Sequence, residues 1–460
     1  MKTFIGRERE LSYLEELYST KGVKTCAIYG KRQVGKTALI QKFCEGKRSL
    51  YIQFNNASMY ENLKSFKINI SDFLGHDVGD FDSLGEYMDV IKRICKREPT
   101  VVVFDELPYL ISEYPASASI LQAFIDVGIT NTETMVIICG SSVSMMMEEI
   151  NNVNRPLYGR FMSRIELNPM SLRETIQFHP GMSDMDIVRT YLIVGGIPKY
   201  HNLMDKDTFE ESFIDCFLGF KHTLLDEGMN ICSEGLTPVR DYTSLLTCIS
   251  DGAVRQNHMA DKLGLSRVTV KNRLDRLESL GIVERVNPMF DSPSKPVYRI
   301  RDNMVAFHYR VISNNEPLFR NHLKSPEDRF ERLRNTVNTF MGLMFEDVCK
   351  AYVEEEYITE DIGRWWRRVD EENVDIDVAA YIYDGHATRT MLAECKFRNK
   401  PTGFGTLNEL QNRADGIHGL KNTFYVLFSA SGFTSELEEY AEDNGIVLVD
   451  LKGLLGRNVE

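Results

Sequence analysis

The spacing of apolar residues along this chain changes from one region to the next, and each pattern predicts a different kind of element. Uninterrupted apolar runs come first, at Thr25-Cys26-Ala27-Ile28-Tyr29, Thr100-Val101-Val102-Val103-Phe104 and Met135-Val136-Ile137-Ile138-Cys139. Short runs of β-branched and aliphatic residues read as strands buried on both faces, as in a parallel sheet covered by helices. Further on the spacing becomes helical, with Val270, Leu274, Leu277 and Leu280 on one stripe. From Val374 to Tyr383 the residues alternate into an Asp384-Gly385 turn signal, and Thr390 to Phe397 returns, which predicts a hairpin.

The first apolar run opens into Gly30-Lys31-Arg32-Gln33-Val34-Gly35-Lys36-Thr37, and the helical stretch Ala38 to Phe43 follows. This is the G-x-x-x-x-G-K-[ST] pattern in its required order of strand, loop and helix. Its glycines let successive N–H groups and the helix dipole face a phosphate, while Lys36 reaches the β/γ oxygens and the Thr37 hydroxyl holds Mg²⁺. ATP and Mg²⁺ are the expected cofactors, bound across Gly30, Lys31, Arg32, Gln33, Val34, Gly35, Lys36, Thr37 and Ala38. About seventy residues later a second run ends in Asp105-Glu106, where Asp105 would hold the Mg²⁺ water shell and Glu106 would polarise the attacking water. The third run ends in Ser141-Ser142, read either as a polar sensor of the γ-phosphate or as the N-cap of a helix from Val143.

A chain of 460 residues with 43% hydrophobic content has room for several cores. No apolar run approaches the ~20 residues that span a bilayer, and the segment from Met1 to Arg7 lacks a signal-peptide core, so the expected location is cytoplasmic, with no membrane partner. The nine cysteines include no C-x-x-C pair and read as reduced core residues. A formal net charge of −13 argues against a protein that coats nucleic acid nonspecifically, so any DNA contact must be local.

Phe4-Ile5-Gly6-Arg7-Glu8, the phosphate loop, the Asp-Glu strand end and Gly140-Ser141-Ser142 together resemble an AAA+ ATPase. Pro156-Leu157-Tyr158-Gly159-Arg160 and Gly195-Gly196-Ile197-Pro198-Lys199-Tyr200 are similar to the archaeal-ATPase family within it. That resemblance implies that Ile5, Gly6 and Arg7 lie near the adenine, that Gly195 to Pro198 sit in a helical lid, and that an arginine reaches a phosphate. Arg160 is the expected arginine, with Arg155 and Arg164 as rivals.

Residues 255 to 281 read as helix, Gly264 turn, Ser266 N-cap and second helix, and the strands Ile282 to Val286 and Pro296 to Ile300 complete a winged helix around a Pro/Ser-rich tip. In a DNA-reading module, Arg267, Thr269, Lys271, Asn272 and Arg273 would face bases and phosphates. Packing against a neighbouring domain is the other reading.

In the C-terminal hairpin, Glu394 and Lys396 point to one face, and Asp377 can meet them from the opposite strand. A carboxylate pair beside a lysine suits metal-assisted phosphodiester hydrolysis, with Asp377 and Glu394 on Mg²⁺ and Lys396 positioning the water. The arrangement resembles the PD-(D/E)XK nuclease superfamily, which implies a helix glutamate at Glu346 and, as a weaker fit, Gln411. The wider segment, with Ile362-Gly363-Arg364-Trp365-Trp366, is similar to the uncharacterised domain that ends many archaeal-ATPase proteins.

The expected fold is α/β multidomain: an ATPase core (1–165), a helical lid (166–235), a winged helix (236–305), a connector (306–330) and a restriction-endonuclease-like domain (331–460). The expected function is ATP hydrolysis coupled to action on DNA, with nucleotide state governing access to the C-terminal site. The alternative is an ATP-driven switch that binds DNA or a protein without cutting. Homo-oligomerisation is left open.

Overall fold

A computed structural model of the chain describes residues 4–290, 292–321, 323–369 and 372–457. The protein is α/β and multidomain, and it divides into two compact units, Met1–Pro169 with Ile197–Lys199, and Met170–Gly196 with Tyr200–Glu460. No described helix is long and apolar enough to cross a membrane.

In the first unit, strands β1 (Lys24–Tyr29), β2 (Ser49–Gln53), β3 (Val101–Asp105), β4 (Met135–Gly140) and β5 (Ser163–Glu166) form one sheet of order β2-β3-β4-β1-β5. Every neighbouring pair is parallel. All of β3 and β4 is buried because helices cover both faces: Val102 and Phe104 pack into one apolar cluster, and Val101 and Val103 into another. Alternation of side chains along a strand delivers one residue in two to each layer. The loops that follow β1, β3 and β4 therefore leave the sheet at the same edge.

The second unit contains the helix pair Gln256–Leu263 and Arg267–Ser279, then the antiparallel strands β6 (Val283–Val286) and β7 (Val297–Ile300). The Ser266 hydroxyl accepts from the Thr269 N–H and caps the second helix, and Val270, Leu274 and Leu277 are buried beneath it. The C-terminal sheet is mixed, in the order β12-β11-β10-β9-β8. Strands β8 (Thr359–Val369), β9 (Glu372–Tyr383) and β10 (Thr388–Lys396) run antiparallel, while β10, β11 (Phe424–Ser429) and β12 (Val447–Val449) run parallel. All nine cysteines are unpaired, and seven are buried.

The segment 306–330, expected as a connector, is instead mostly helical and half of a core. Its polar residues Asn314, Glu316 and Arg320 are exposed, but Phe307, Phe319 and Phe330 are buried. Their rings join those of Phe213, Phe217 and Phe340 in one continuous aromatic cluster. Arg329, only 2% exposed, donates from its two terminal nitrogens to the carbonyls of Leu218 (2.6 Å), Phe319 (3.0 Å) and Leu318 (3.3 Å), while its Nε has no partner. The helix Pro326–Glu356 then runs on as a single 31-residue element across the expected boundary at 331. Among the residues expected in the lid, His179 and His201 form a buried pair, 2.8 Å apart, and His201 donates to the Gly195 carbonyl at 2.7 Å. Burial pushes both imidazoles below their usual range, which keeps them neutral and fixes the turn at Gly195.

Candidate functional site

The loop Gly30–Gly35 joins β1 to the helix Lys36–Cys44. Gly30 cannot carry a side chain, since a Cβ there would lie 2.2 Å from the Leu167 carbonyl oxygen. Gly35, at φ 102°, caps the helix, and Gln33 is also at positive φ (63°). Such backbone turns successive N–H groups toward one concavity. Lys36 is buried, and its ammonium donates to the carbonyls of Gly30 and Lys31 at 2.9 Å each, which holds the charge at the mouth of the loop. Thr37 and Ala38 are exposed on the first helical turn, Lys31 is half-buried and Arg32 is exposed.

Asp105 ends β3 with no solvent exposure. Its Oδ1 accepts from the Glu106 N–H at 3.0 Å, while its Oδ2 accepts from the Thr37 hydroxyl at 3.0 Å and from the Tyr51 hydroxyl. Burial and the neighbouring Asp105 charge push the Tyr51 phenol well above its usual range, so it stays protonated and donates. Burial, then Asp105, does the same for the Cys139 thiol. Glu106 takes the left-handed conformation (φ 55°), and its Oε2 accepts from the Ser141 N–H (3.0 Å) and hydroxyl (2.8 Å). Ser141 is thus bound to Glu106. Ser142 is the N-cap residue of the helix Val143–Asn151, but its side chain makes no capping bond.

Arg7 lies beside the loop. It is buried at positive φ (67°) and donates to the carbonyls of Asn168 (2.6 Å) and Val34 (3.3 Å); Gly6 is buried and Ile5 half-buried. Arg7 Nε and Gln33 Oε1 are buried without a hydrogen-bond partner. The Thr37 hydroxyl and the Asp105 carboxylate are adjacent oxygen donors, the chemistry that Mg²⁺ takes. The residues present therefore fit both ATP and Mg²⁺.

Arg160 is not part of this constellation. Its guanidinium is held by Asp126 (2.9 Å) and by the Tyr158 carbonyl (2.7 Å), and its own carbonyl accepts from the Thr25 hydroxyl at the amino end of β1. Gly30 lies five residues beyond Thr25, about 16 Å along the β-strand, farther than an arginine side chain extends. Arg160, expected to reach a phosphate, is thus held by Asp126 near the amino end of β1. Its rivals are engaged as well: Arg155 pairs with Glu148 and Glu149, and Arg164 donates to Phe161 and Asn151.

In the second unit, the C-terminal hairpin brings Asp377 to the Cys395 N–H at 2.9 Å. Glu394, 3% exposed, is claimed on one oxygen by Lys396 and on the other by Arg413 at 2.8 Å. Glu346, on the long helix, pairs with Arg364 at 2.9 Å, and Arg364 also reaches Asp375. Burial, then the Glu394 charge, raises the Asp377 carboxyl; burial raises Glu346 against the pull of Arg364. Among the described residues, no three His, Cys, Asp or Glu side chains gather to hold a metal ion. Of the three carboxylates expected to share a cation, Glu346 is paired with Arg364 and Glu394 with Lys396 and Arg413, while Asp377 accepts from a backbone amide. Gln411 shares the helix Phe404–Ala414 with Arg413, but Arg413 is the residue that meets Glu394.

Asp377 and Glu346 open into a pocket of about 260 Å³, walled in part by Arg299 and Met289 of the β6–β7 hairpin. The hairpin tip docks on β8. Pro288 bridges to Arg364, the Met289 N–H donates to the Arg364 carbonyl at 2.7 Å, and the Ser292 hydroxyl donates to the Trp366 carbonyl at 2.6 Å. Met289 is buried with Trp365 and Ile376, Phe290 stacks edge-on against Tyr381, and Arg299 joins Glu284 to Asp347 at 2.6 Å. A protein strand tip thus covers the edge of the sheet at its β-bulge, beside Gly363 and Trp365. Asp291, within the expected tip, lies outside the described residues.

On the second helix of the pair, Arg267, Lys271 and Asn272 are exposed together with Val268. Thr269 bonds Ser266, and Arg273 turns inward to Asp241 at 2.7 Å. Sequence reasoning missed Tyr51, Arg364, Arg413 and the Met289 anchor. Only Tyr51 carried a signal, since it shares a strand face with Gln53, the residue paired with Asp105.

Residues 4–203 match the family model described as an ATPase domain predominantly from Archaea, and residues 308–412 match one described as archaeal and bacterial proteins of unknown function. The chain is 28% identical over 388 residues to an uncharacterized protein of Methanocaldococcus jannaschii, covering 80% of this chain and 83% of that one. It is 42% identical over 45 residues to an uncharacterized ATP-binding protein of the same organism, covering 10% of this chain and 76% of that one. Among solved structures, the Walker-type ATPase PABY2304 of Pyrococcus abyssi is similar in fold, with a TM-score of 0.51 at 19% identity over 67% of this chain and 96% of that one. The amino-terminal part of this chain is thus similar in sequence to archaeal ATPase domains and similar in fold to a Walker-type ATPase.

The chain's two tryptophans, Trp365 and Trp366, both lie where the hairpin docks. Met289→Ala should cost about 2–4 kcal/mol in denaturant titration and shift tryptophan emission to the red in the folded protein. Unchanged emission together with unchanged stability would show that the tip is not anchored there.

Proposed function

We propose that the protein binds and hydrolyses ATP with Mg²⁺ at the loop Gly30–Ala38. The observation that carries this reading is the meeting of Thr37, Asp105 and Glu106 at the mouth of the phosphate loop. The loop amides and Lys36 take the phosphates, Thr37 and Asp105 hold the cation, and Arg7 with Ile5 and Gly6 borders the base. Mg²⁺ held by Thr37 and Asp105 would supply charge neutralisation for the phosphates. Glu106 orients the attacking water, and Ser141, which donates twice to Glu106, sets the direction of that carboxylate. Ser141 acts through Glu106 in this reading, not by touching the γ-phosphate.

Lys36→Ala should lower nucleotide affinity at least tenfold in calorimetry. Glu106→Gln should retain affinity and lose phosphate release by roughly two orders of magnitude or more. Turnover by Glu106→Gln at the wild-type rate would remove Glu106 from its role.

The finer reading is that the ATPase acts on DNA through a winged helix in the second unit. Its support is the exposed start of the helix Arg267–Ser279, where Arg267, Lys271 and Asn272 stand together. Arg273 drops out of the contact set because Asp241 holds it. A metal-dependent nuclease at Asp377, Glu394 and Lys396 is the second reading. It is favoured by the placement of Asp377 and Glu346 at one pocket, where burial raises both carboxyls and the Glu394 charge adds to the rise of Asp377. Both readings meet one experiment, anisotropy and gel analysis on single- and double-stranded DNA with and without Mn²⁺. Arg267→Ala and Lys271→Ala should each reduce the slope of log K against log[salt] by about one, and Arg273→Ala should not. Asp377→Ala should abolish any cleavage. Binding indifferent to the first two changes, and no cleavage by wild type with ATP, would leave the ATP-driven switch as the function.

A further inference from the structure

Tyr51 stands two residues before the end of β2, in register with Val103, while Gln53 is in register with Asp105. Paired residues on neighbouring strands point to the same face, so Tyr51 lies diagonally across from Asp105 on one side of the sheet. Its ring is half-buried against the cluster that contains Val103 and Cys139, and its hydroxyl ends at Asp105 Oδ2. That oxygen is the one that also accepts from Thr37. Asp105 Oδ1 is fixed independently by the Glu106 N–H.

We propose that Tyr51 is a positioning residue for the cation of the ATPase site, acting through Asp105. The inference rests on the Mg²⁺-ATP reading of this site. A carboxylate buried without solvent contact keeps one orientation only as long as its donors define it. With the Tyr51 and Thr37 hydroxyls on one oxygen and the Glu106 amide on the other, both torsions of Asp105 are set before a cation arrives. The Thr37 hydroxyl directs its proton at Asp105, which leaves an oxygen lone pair for the metal. If the Tyr51 donor is removed, Thr37 alone must orient Oδ2, and the carboxylate gains freedom that metal binding then has to remove. The phenol does not touch nucleotide in this scheme. Its effect therefore falls on the metal and not on the phosphates.

Tyr51→Phe tests this because it keeps the ring and its packing and deletes one donor. Binding of a non-hydrolysable ATP analogue to the full chain is measured by calorimetry in EDTA and across a Mg²⁺ titration. Alongside it, kcat and KM are measured for ATP at saturating and limiting Mg²⁺. In Tyr51→Phe, the affinity in EDTA should equal wild type, while the Mg²⁺ concentration giving half of the metal-dependent gain should rise about three- to tenfold, the worth of one hydrogen bond. Excess Mg²⁺ should restore kcat toward wild type. A Mg²⁺ midpoint equal to wild type, a lower midpoint, or an equal loss of affinity with and without Mg²⁺ would each overturn the proposal. If wild type itself shows no Mg²⁺-dependent gain, the Mg²⁺-ATP reading falls and this inference falls with it.

Discussion

Asp105 carries a negative charge out of reach of solvent at the carboxyl end of a fully buried strand, and its surroundings follow from that constraint. A carboxylate in such a place is tolerated only when donors satisfy its oxygens. The donors come from three directions: Thr37 from the helix after the phosphate loop, Tyr51 from the neighbouring strand, and the amide of Glu106 from the turn that follows. One side chain thus ties β2, β3 and the loop helix together at the edge where the phosphates are proposed to bind. The turn at Glu106 is left-handed for a non-glycine residue, and Arg7 and Gln33 nearby share that strained conformation. Strain of this kind persists where surrounding bonds over-determine it, as they do here.

The second unit is organised by a different constraint, the need to bury aromatic surface and close a sheet edge. The aromatic cluster from Phe213 to Phe340 makes one core of segments that sequence spacing separates. At β8, the hairpin tip with Met289 covers an edge that would otherwise offer unpaired backbone groups. The same tip forms one wall of the pocket that holds Asp377 and Glu346. A hairpin engaged in this way is not available as a wing against DNA, so the proposed DNA contact narrows to the start of the helix Arg267–Ser279. The acidic C-terminal site is tuned by Arg364, Lys396 and Arg413, whose charges balance its buried carboxylates.

Residues with strong local signatures were legible in the sequence. The runs at 25–29, 101–104 and 135–139 read as strands buried on both faces, and the glycine spacing from Gly30 to Gly35 identified the loop between the first of them and its helix. The helix pair at 256–279 was legible because a Gly turn and a Ser cap bracket its apolar stripe. The 306–330 segment was not, because Asn314, Glu316 and Arg320 advertise a linker while Phe307, Phe319 and Phe330 are too widely spaced to declare a helix face. Arg413 and Met289 depend on contacts between distant segments, which no local pattern encodes. Arg160 shows a related limit: a motif supplies the residue type, but the packing of its segment against Thr25 and Asp126 decides where its guanidinium lies.

The central claim is that the buried Asp105 and the phosphate loop together make a metal-dependent ATPase. Phosphate release from ATP by the unmodified full chain, followed with Mg²⁺ and again with EDTA, tests it most directly. The account predicts steady turnover with Mg²⁺ and none above background with EDTA. Release that is absent with Mg²⁺, or equal in both conditions, would contradict it.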